Sequence, residues 1–416
     1  MARTAAKPPR CDSTQRGQVL LGTVVLLGIV LGAVFYNLAG PTGSAIERDK
    51  ITNAALAQAK DALIAFASGQ PFNGPNERPG DLPCPDIDDN GIADSNCNSV
   101  GLRIGRLPWK TLGLPDLRDG SGERLWYAVS DRFKTSTRLL PPSYPLNSDT
   151  QGEYTVTGPV AANNVIAVVF APGGALGSQD RNPAVNAPCP TTGTTIARSR
   201  CAANYLDGDN GNGTTSFATA PPSATFNDKL LLITSDTFFP AVEKRVANEA
   251  RAGLLGFYAY SGYNFFPYAN DYGDSAYQCT DKTYSGRIPQ STSFPSSKCR
   301  KNASDPDWNG YSWPLWFFGN NWHLVMFYAV SQKCTDKNKP ACSDVGTFLT
   351  VNGLPPPNNN IQALVIASGR GFAGQTRPCA NASDCLEGTE NTNGDATFEK
   401  PVRSPTSNDQ LVVVAP

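Results

Sequence analysis

Asp86, Asp88, Asn90 and Asp94 stand at positions one, three, five and nine of the loop Asp-Ile-Asp-Asp-Asn-Gly-Ile-Ala-Asp. Gly91 takes position six, where a calcium loop turns sharply, and the Ile92 carbonyl is available at position seven. An oxygen-only donor set at this spacing suits a hard divalent cation, so calcium is the expected cofactor. Position twelve, where an EF-hand places a bidentate Glu, is Cys97. The loop therefore departs from that pattern, and a weak affinity is expected, suited to a compartment rich in calcium. An acidic, solvated turn is the competing reading of the same residues.

Other chemically capable residues carry less. Gly369-Arg-Gly371-Phe-Ala-Gly374 matches G-x-G-x-x-G after an apolar run, but Gln-Thr-Arg-Pro-Cys follows instead of a helix. A glycine turn is expected there and dinucleotide binding is not. His323 is the one histidine; no motif marks a nucleophile or acid beside it, so a structural role is expected. One histidine also makes zinc an unsuitable metal. Asp207–Gly213 and Glu387–Asp395 are acidic and turn-rich, and read as hairpin loops with a second metal loop as the alternative. Two aromatic clusters, Tyr258/Tyr260/Tyr263/Phe265/Phe266/Tyr268 and Trp313/Trp316/Phe317/Phe318/Trp322, read either as core or as a partner- or glycan-binding face.

Eleven cysteines are present. Cys11 precedes the long apolar run at the amino terminus, and the others follow it. An even set beyond that run suits disulfides in an oxidising compartment. Nearest-neighbour pairing gives Cys84–Cys97, Cys189–Cys201, Cys279–Cys299, Cys334–Cys342 and Cys379–Cys385. Free, buried thiols are the alternative. The net charge of −1, with no basic stripe interleaved with aromatics, makes nucleic acid an unsuitable partner.

The elements that must hold these residues are written twice. Leu125-Trp-Tyr-Ala-Val-Ser130 recurs as Met326-Phe-Tyr-Ala-Val-Ser331, and Asn163-Asn-Val-Ile-Ala-Val-Val-Phe-Ala171 as Asn359-Asn-Ile-Gln-Ala-Leu-Val-Ile-Ala367. Gln179/Arg181 recur as Gln375/Arg377, and Asn227-Asp-Lys-Leu-Leu-Leu-Ile233 as Asn408-Asp-Gln-Leu-Val-Val-Val414. The order is kept, as in a duplicated unit. A helix opens each copy. In the first, Ser44 and Glu47 form a capping box, Leu56, Ala59, Leu63 and Phe66 form the apolar stripe, and Gly69 ends it. In the second, Pro240 sits in the first turn, and Val242, Val246, Ala250, Leu254 and Phe257 share a face. Several strands separated by Gly/Pro/Asn loops follow each helix. The expected class is α+β with antiparallel sheets, as units 44–234 and 239–416 joined by a linker at Thr234–Phe239.

Before the first unit, Val19–Leu38 is apolar and uncharged over about 20 residues, long enough to span a bilayer. Arg3, Lys7, Arg10 and Arg16 precede it, which places the amino terminus in the cytoplasm. The sequence thus predicts a basic leader over 1–17, a transmembrane helix over 18–40 and an extracytoplasmic remainder. A cleaved signal peptide is the alternative.

A basic leader ending at Gly17, a long apolar helix and then a small antiparallel sheet resemble type IV pilins and the pseudopilins of type II secretion. Asp119-Gly-Ser-Gly122-Glu-Arg-Leu-Trp126-Tyr127 is similar to the turn–strand segment of major pseudopilins, and Asn320-Asn-Trp322-His323 is its counterpart in the second unit. The resemblance implies cleavage after Gly17, leaving Gln18 as the new amino terminus, and partnership with other pilin or pseudopilin subunits. Where the family has Glu five residues into the mature helix, this chain has Gly22, as the large tip-type minor subunits of that family also lack it. The expected function is a non-enzymatic, inner-membrane, pilin-like subunit stabilised by disulfides and calcium. A tethered extracytoplasmic hydrolase and an adhesin or binding module are the alternatives.

Overall fold

Two helices and two four-stranded sheets dominate the computed structural model, which describes residues 41–69, 78–95, 97, 103–134, 145–260, 264–290, 313–335, 341–342 and 345–416. Helix α1 spans Pro41–Gly69 and helix α2 spans Ser235–Ala259. The first sheet is built from β1 (Ile104–Arg106), β2 (Trp126–Val129), β5 (Ala167–Ala171) and β9 (Lys229–Ile233) in the order β1-β2-β5-β9. The second uses β10 (Ser285–Arg287), β11 (Met326–Val330), β13 (Ala363–Ala367) and β15 (Gln410–Ala415) in the order β10-β11-β13-β15. Every neighbouring pair in both sheets is antiparallel. The strands fall on the sequence repeats, and the two copies share one strand order.

The central strands are apolar at every position, although antiparallel strands with one wet face alternate. Both faces are covered here. Ala167, Val169 and Ala171 of β5 join the core on the helix side, while Val168 and Phe170 face a second cluster with Tyr154, Phe217 and Leu206. In β13 the same division places Ala363, Val365 and Ala367 on the helix side and Leu364 and Ile366 against Leu386 and Phe398. The outer layer of the first unit is a three-stranded sheet of β3 (Tyr154–Thr157), β4 (Ala162–Val165) and β8 (Ser216–Ala218), with the hairpin β6 (Asn186–Cys189)–β7 (Thr194–Ala197) beside it. In the second unit it is the parallel pair β12 (Thr350–Asn352) and β14 (Thr397–Glu399).

Helices α1 and α2 pack on each other between the two sheets, so one continuous core runs through both units. Ala55, Leu56, Ala59, Leu63 and Ala67 are the buried face of α1, and Phe66, expected there, is only half-buried. In α2 all five expected positions are buried. Helix starts differ from expectation. α1 begins at Pro41, so Ser44 lies inside it, and its hydroxyl accepts a hydrogen bond from Arg48 Nη1 (2.8 Å) rather than capping the end. α2 begins at Ser235 with a Thr234/Thr237 capping box, which turns the expected linker into the helix's first turns and Pro240 into an interior residue. Proline removes one helical donor; Arg403 Nη2 satisfies the Asp236 carbonyl one turn back (2.9 Å).

The membrane-spanning part of the expected fold class is corrected. No helix among the described residues is long and apolar enough to cross a membrane. The physical reason is charge: α1 carries Glu47, Arg48, Asp49, Lys50, Lys60 and Asp61, and α2 carries Asp236, Glu243, Lys244, Arg245, Glu249 and Arg251. The expected leader (1–17), apolar helix (18–40), Gly17/Gln18 processing site and Gly22 lie outside the described residues. The fold stands as α+β and mostly sheet, and the assignment to the inner membrane as a single-pass protein is withdrawn with the helix.

Candidate metal centre

The Asp86 loop leaves the edge of the first sheet. Asp86 and Arg106 form a backbone bridge (2.8 and 2.9 Å), which fixes the loop to β1. Gly105 permits this approach, because a Cβ there would lie 2.7 Å from the Asp86 carbonyl. Asp86 is buried. Its carboxylate accepts hydrogen bonds from the backbone N–H of Asn90 (3.1 Å) and Gly91 (2.6 Å), and Asp94 closes the loop by accepting from the Ile87 N–H (2.6 Å). Gly91 has φ of +87° beneath the Trp109 ring, a conformation and a space that favour glycine.

Oxygens of Asp86, Asp88 and Asp94 lie within 4.8 Å of one another. Burial, with Asp88 and Asp89 nearby, pushes the Asp86 carboxyl up to about 6, although the Gly91 and Asn90 amides act in the opposite direction. Three hard oxygen donors converging around one costly buried carboxylate fit a divalent cation such as calcium. Two neighbours face elsewhere. Asp89 pairs with Arg124 (2.9 Å), and the Asn90 side chain donates to Asp88 (2.8 Å) while its Oδ1 accepts from the Ile92 N–H (2.7 Å).

The second unit supplies an internal comparison. Asn270 bridges Arg287 as Asp86 bridges Arg106, and Gly286 stands where Gly105 stands. The Asn270 amide donates to the Asp274 carboxylate (3.1 Å) and the Gln278 carbonyl (2.7 Å). An uncharged donor thus fills the centre of that loop, whereas in the first unit the corresponding side chain is a carboxylate.

Four expected disulfides join Cys84–Cys97, Cys189–Cys201, Cys334–Cys342 and Cys379–Cys385. Cys279 is also disulfide-bonded; Cys299 lies outside the described residues. Cys84–Cys97 clamps both ends of the Asp86 loop.

In the other acidic segments short helical turns at Gly208–Gly211 and Thr389–Thr392 replace the expected hairpins, and Asp207 and Glu387 form brackets to neighbouring loops. Asp207 accepts from Gln179 (2.9 Å) and from the Asn227 N–H (2.7 Å), while its own N–H donates to Asp228 (2.8 Å). Glu387 repeats this with Gln375 (3.1 Å), Asn408 (3.0 Å) and Asp409 (3.2 Å). Asn210 clasps the backbone of Ala218 in both directions, and Asn391 clasps Glu399 likewise. Burial lifts the Asp228 carboxyl to about 8 and holds Asp409 well above the usual carboxylate range. The Gln-x-Arg and Asn-Asp repeats were the sequence signal for these brackets; the burial and pairing of Asp228 and Asp409 needed the fold.

Gly369–Gly374 turns into a loop in which the Phe372 N–H donates to Gln375 (2.8 Å), with no nucleotide-type helix after it. His323 is buried among Tyr277, Phe318 and Arg287, and desolvation holds its pKa down to about 3, so it is uncharged at neutral pH. Trp313, Trp316, Phe317, Trp322, Phe265 and Phe266 are buried, which makes both aromatic clusters core; Tyr263 lies outside the described residues. Comparison with protein-family models, with curated proteins and with solved structures finds no match to this chain.

Proposed function

We propose that the chain is a non-catalytic, pilin-like structural subunit of an extracytoplasmic assembly, built from two copies of one module and stabilised by disulfides and by calcium at the Asp86 loop. The observation that carries this reading is the duplicated helix-on-sheet arrangement with one strand order in both copies. Duplication has preserved the scaffolding, including the carboxylate–amide brackets, while the Asp86 loop differs between copies. Four disulfides suit an oxidising compartment. The one histidine is buried and neutral, so it supplies no accessible acid–base group. A hydrolase would need convergent carboxylates in a cleft. Two clefts between the units, and a third of about 150 Å³ beside Phe398, are each lined by one: Asp149 in the first two and Asp395 in the third. Burial of Trp313 and Trp316 removes the feature on which the adhesin reading stood.

Two measurements test this. Immunogold labelling of filaments sheared from producing cells should decorate them, and deletion of the gene should stop or shorten filament assembly. Normal filaments lacking the protein would refute the subunit role. For calcium, Asp86, Asp88 and Asp94 with the Ile92 carbonyl would hold the ion, and calorimetric titration of the purified chain should show one site, absent in Asp86→Asn.

A further inference from the structure

Where the two units meet, the turn 145–151 of the first faces loops 321–325 and 370–378 of the second. It leaves two adjoining clefts of about 290 and about 300 Å³ that share Asp149, Thr150 and Arg377. Each approaches the size of a small-ligand site. The walls are fixed independently of any ligand. Asn147 Nδ2 donates to the Asn320 carbonyl across the interface (3.0 Å), and the Asn147 N–H donates to the Thr150 hydroxyl (3.1 Å). Arg377 is held by the carbonyls of Gly369 (3.1 Å) and Cys385 (3.4 Å), and it meets Asp149 at the waist of the groove (3.4 Å).

The lining chemistry is specific. Arg132 stands at one end and Arg370 at the other, with Arg377 between them; Asp149 is the one carboxylate lining either cleft. Arg370 is paired with Asp236 (2.7 Å), whereas the exposed Arg132 makes no ion pair among the described residues. A guanidinium fork matches a carboxylate bidentately. Between the arginines lie the Thr150 hydroxyl and the exposed Gln151 amide, with Phe372 as the apolar part of the wall and the Arg370 guanidinium 5.5 Å from its ring centroid. That mixture suits sugar rings, which present hydroxyls at the edge and C–H groups on the face. Extended peptides dock on open sheet edges with alternating side-chain pockets; this groove is walled by loops and a short turn.

We propose that the inter-unit groove binds an acidic saccharide, with a uronic-acid carboxylate on Arg132 and a second near Arg370 and Arg377. The site needs both units, and it stands or falls independently of the filament role. Isothermal titration calorimetry of the full chain in calcium-free buffer tests it with α-1,4-linked trigalacturonate, neutral maltotriose and triglutamate. Trigalacturonate should bind at least tenfold more tightly than either of the others. Arg132→Ala should weaken it roughly tenfold, the loss of one charge-assisted contact. Arg118→Ala, at an arginine that lines neither cleft, should leave it unchanged. Equal binding of maltotriose would remove the charge argument, and equal binding of triglutamate would make the groove a peptide site. No heat from millimolar trigalacturonate, or equal weakening by Arg118→Ala, would overturn the proposal.

Discussion

A carboxylate at position 86 and an amide at position 270 occupy the same corner of two copies of one module. At Asn270 an N–H donor satisfies Asp274. At Asp86 two backbone N–H groups meet the carboxylate, and the proposed calcium would supply the counter-charge that a buried carboxylate calls for. Asp86→Asn should therefore abolish calcium-dependent stabilisation. In the parent protein, calcium at ten times its Kd should add about 1.4 kcal/mol, visible as a calcium-dependent rise in Tm that the variant lacks. If the variant's Tm rises by the same amount, the cation is elsewhere. Asp228 carries a pH prediction. Its folded pKa, about 8, lies above the ordinary 3.8. The folded state then holds a proton the unfolded chain releases, so stability is greatest below about pH 4 and falls as pH rises toward 8. The loss is on the order of a few kcal/mol, to which Glu243, lifted to about 7, adds in the same direction. Asp228→Asn mimics the protonated acid, because an amide oxygen can accept from Asp207 N–H and Asn210. Urea denaturation at pH 4.5, 6 and 8 should give a shallower decline for the variant; parallel curves would show that Asp228 does not hold the proton. The convergence of Asp86, Asp88 and Asp94 was readable from sequence because their oxygens are local, whereas the Asn90 side chain turns to Asp88 and Ile92. Asp228 was not, since its burial and its partner Asp207 come from chain about 20 residues away.

Elements were more readable than their ends. Within the repeated segments the apolar stretches 126–129, 167–171, 326–330 and 363–367 became strands, because β-branched and aromatic residues suit them and both faces are covered. The helix starts were misjudged because Ser44 and Pro240 each satisfy a local rule that a longer helix overrides. One position shows what pairing two helices by sequence misses. Ala62 of the first helix aligns with Gly253 of the second, yet a Cβ on Gly253 would lie 2.3 Å from the Trp313 ring. Helix propensity alone says that Gly253→Ala stabilises by about 1 kcal/mol. The clash with a buried indole reverses the sign, and a net destabilisation of roughly 1–3 kcal/mol is expected from overpacking. Urea unfolding, followed by circular dichroism, decides between them: a variant more stable than the parent would mean that Trp313 moves aside freely.

At the scale of the whole molecule the sequence speaks of two units, and the packing speaks of one. Repeats reveal what each copy buries on its own sheet, but they carry no sign of what the copies bury between them. The α1–α2 contact and the inter-unit hydrogen bonds are made by repeated positions whose partners differ between the copies. Asn320 is the centre of that seam. Its buried side chain accepts from Arg78 (2.8 Å) and from the Leu146 N–H (3.0 Å), donates to the Trp316 carbonyl (2.8 Å), and its own carbonyl receives Asn147. In the first unit the aligned residue, Asp119, bonds within its own turn and to Gly173. The same position has thus been redirected from holding a turn to holding two units together. Asn320→Ala deprives Arg78 and the Leu146 N–H of their bonds to its side chain, and a buried donor left without an acceptor costs about 1–3 kcal/mol, more when it is charged. The parent should unfold in one cooperative step, because a shared core gives neither unit an independent route to exposure. The variant should lose roughly 2–4 kcal/mol and, with the seam loosened, exchange amide hydrogens of β5 and β13 at distinguishable rates where the parent's exchange together. Equal protection of both strands in the variant would mean that the apolar packing of α1 on α2 binds the units by itself, and that the hydrogen-bonded seam only sets their register.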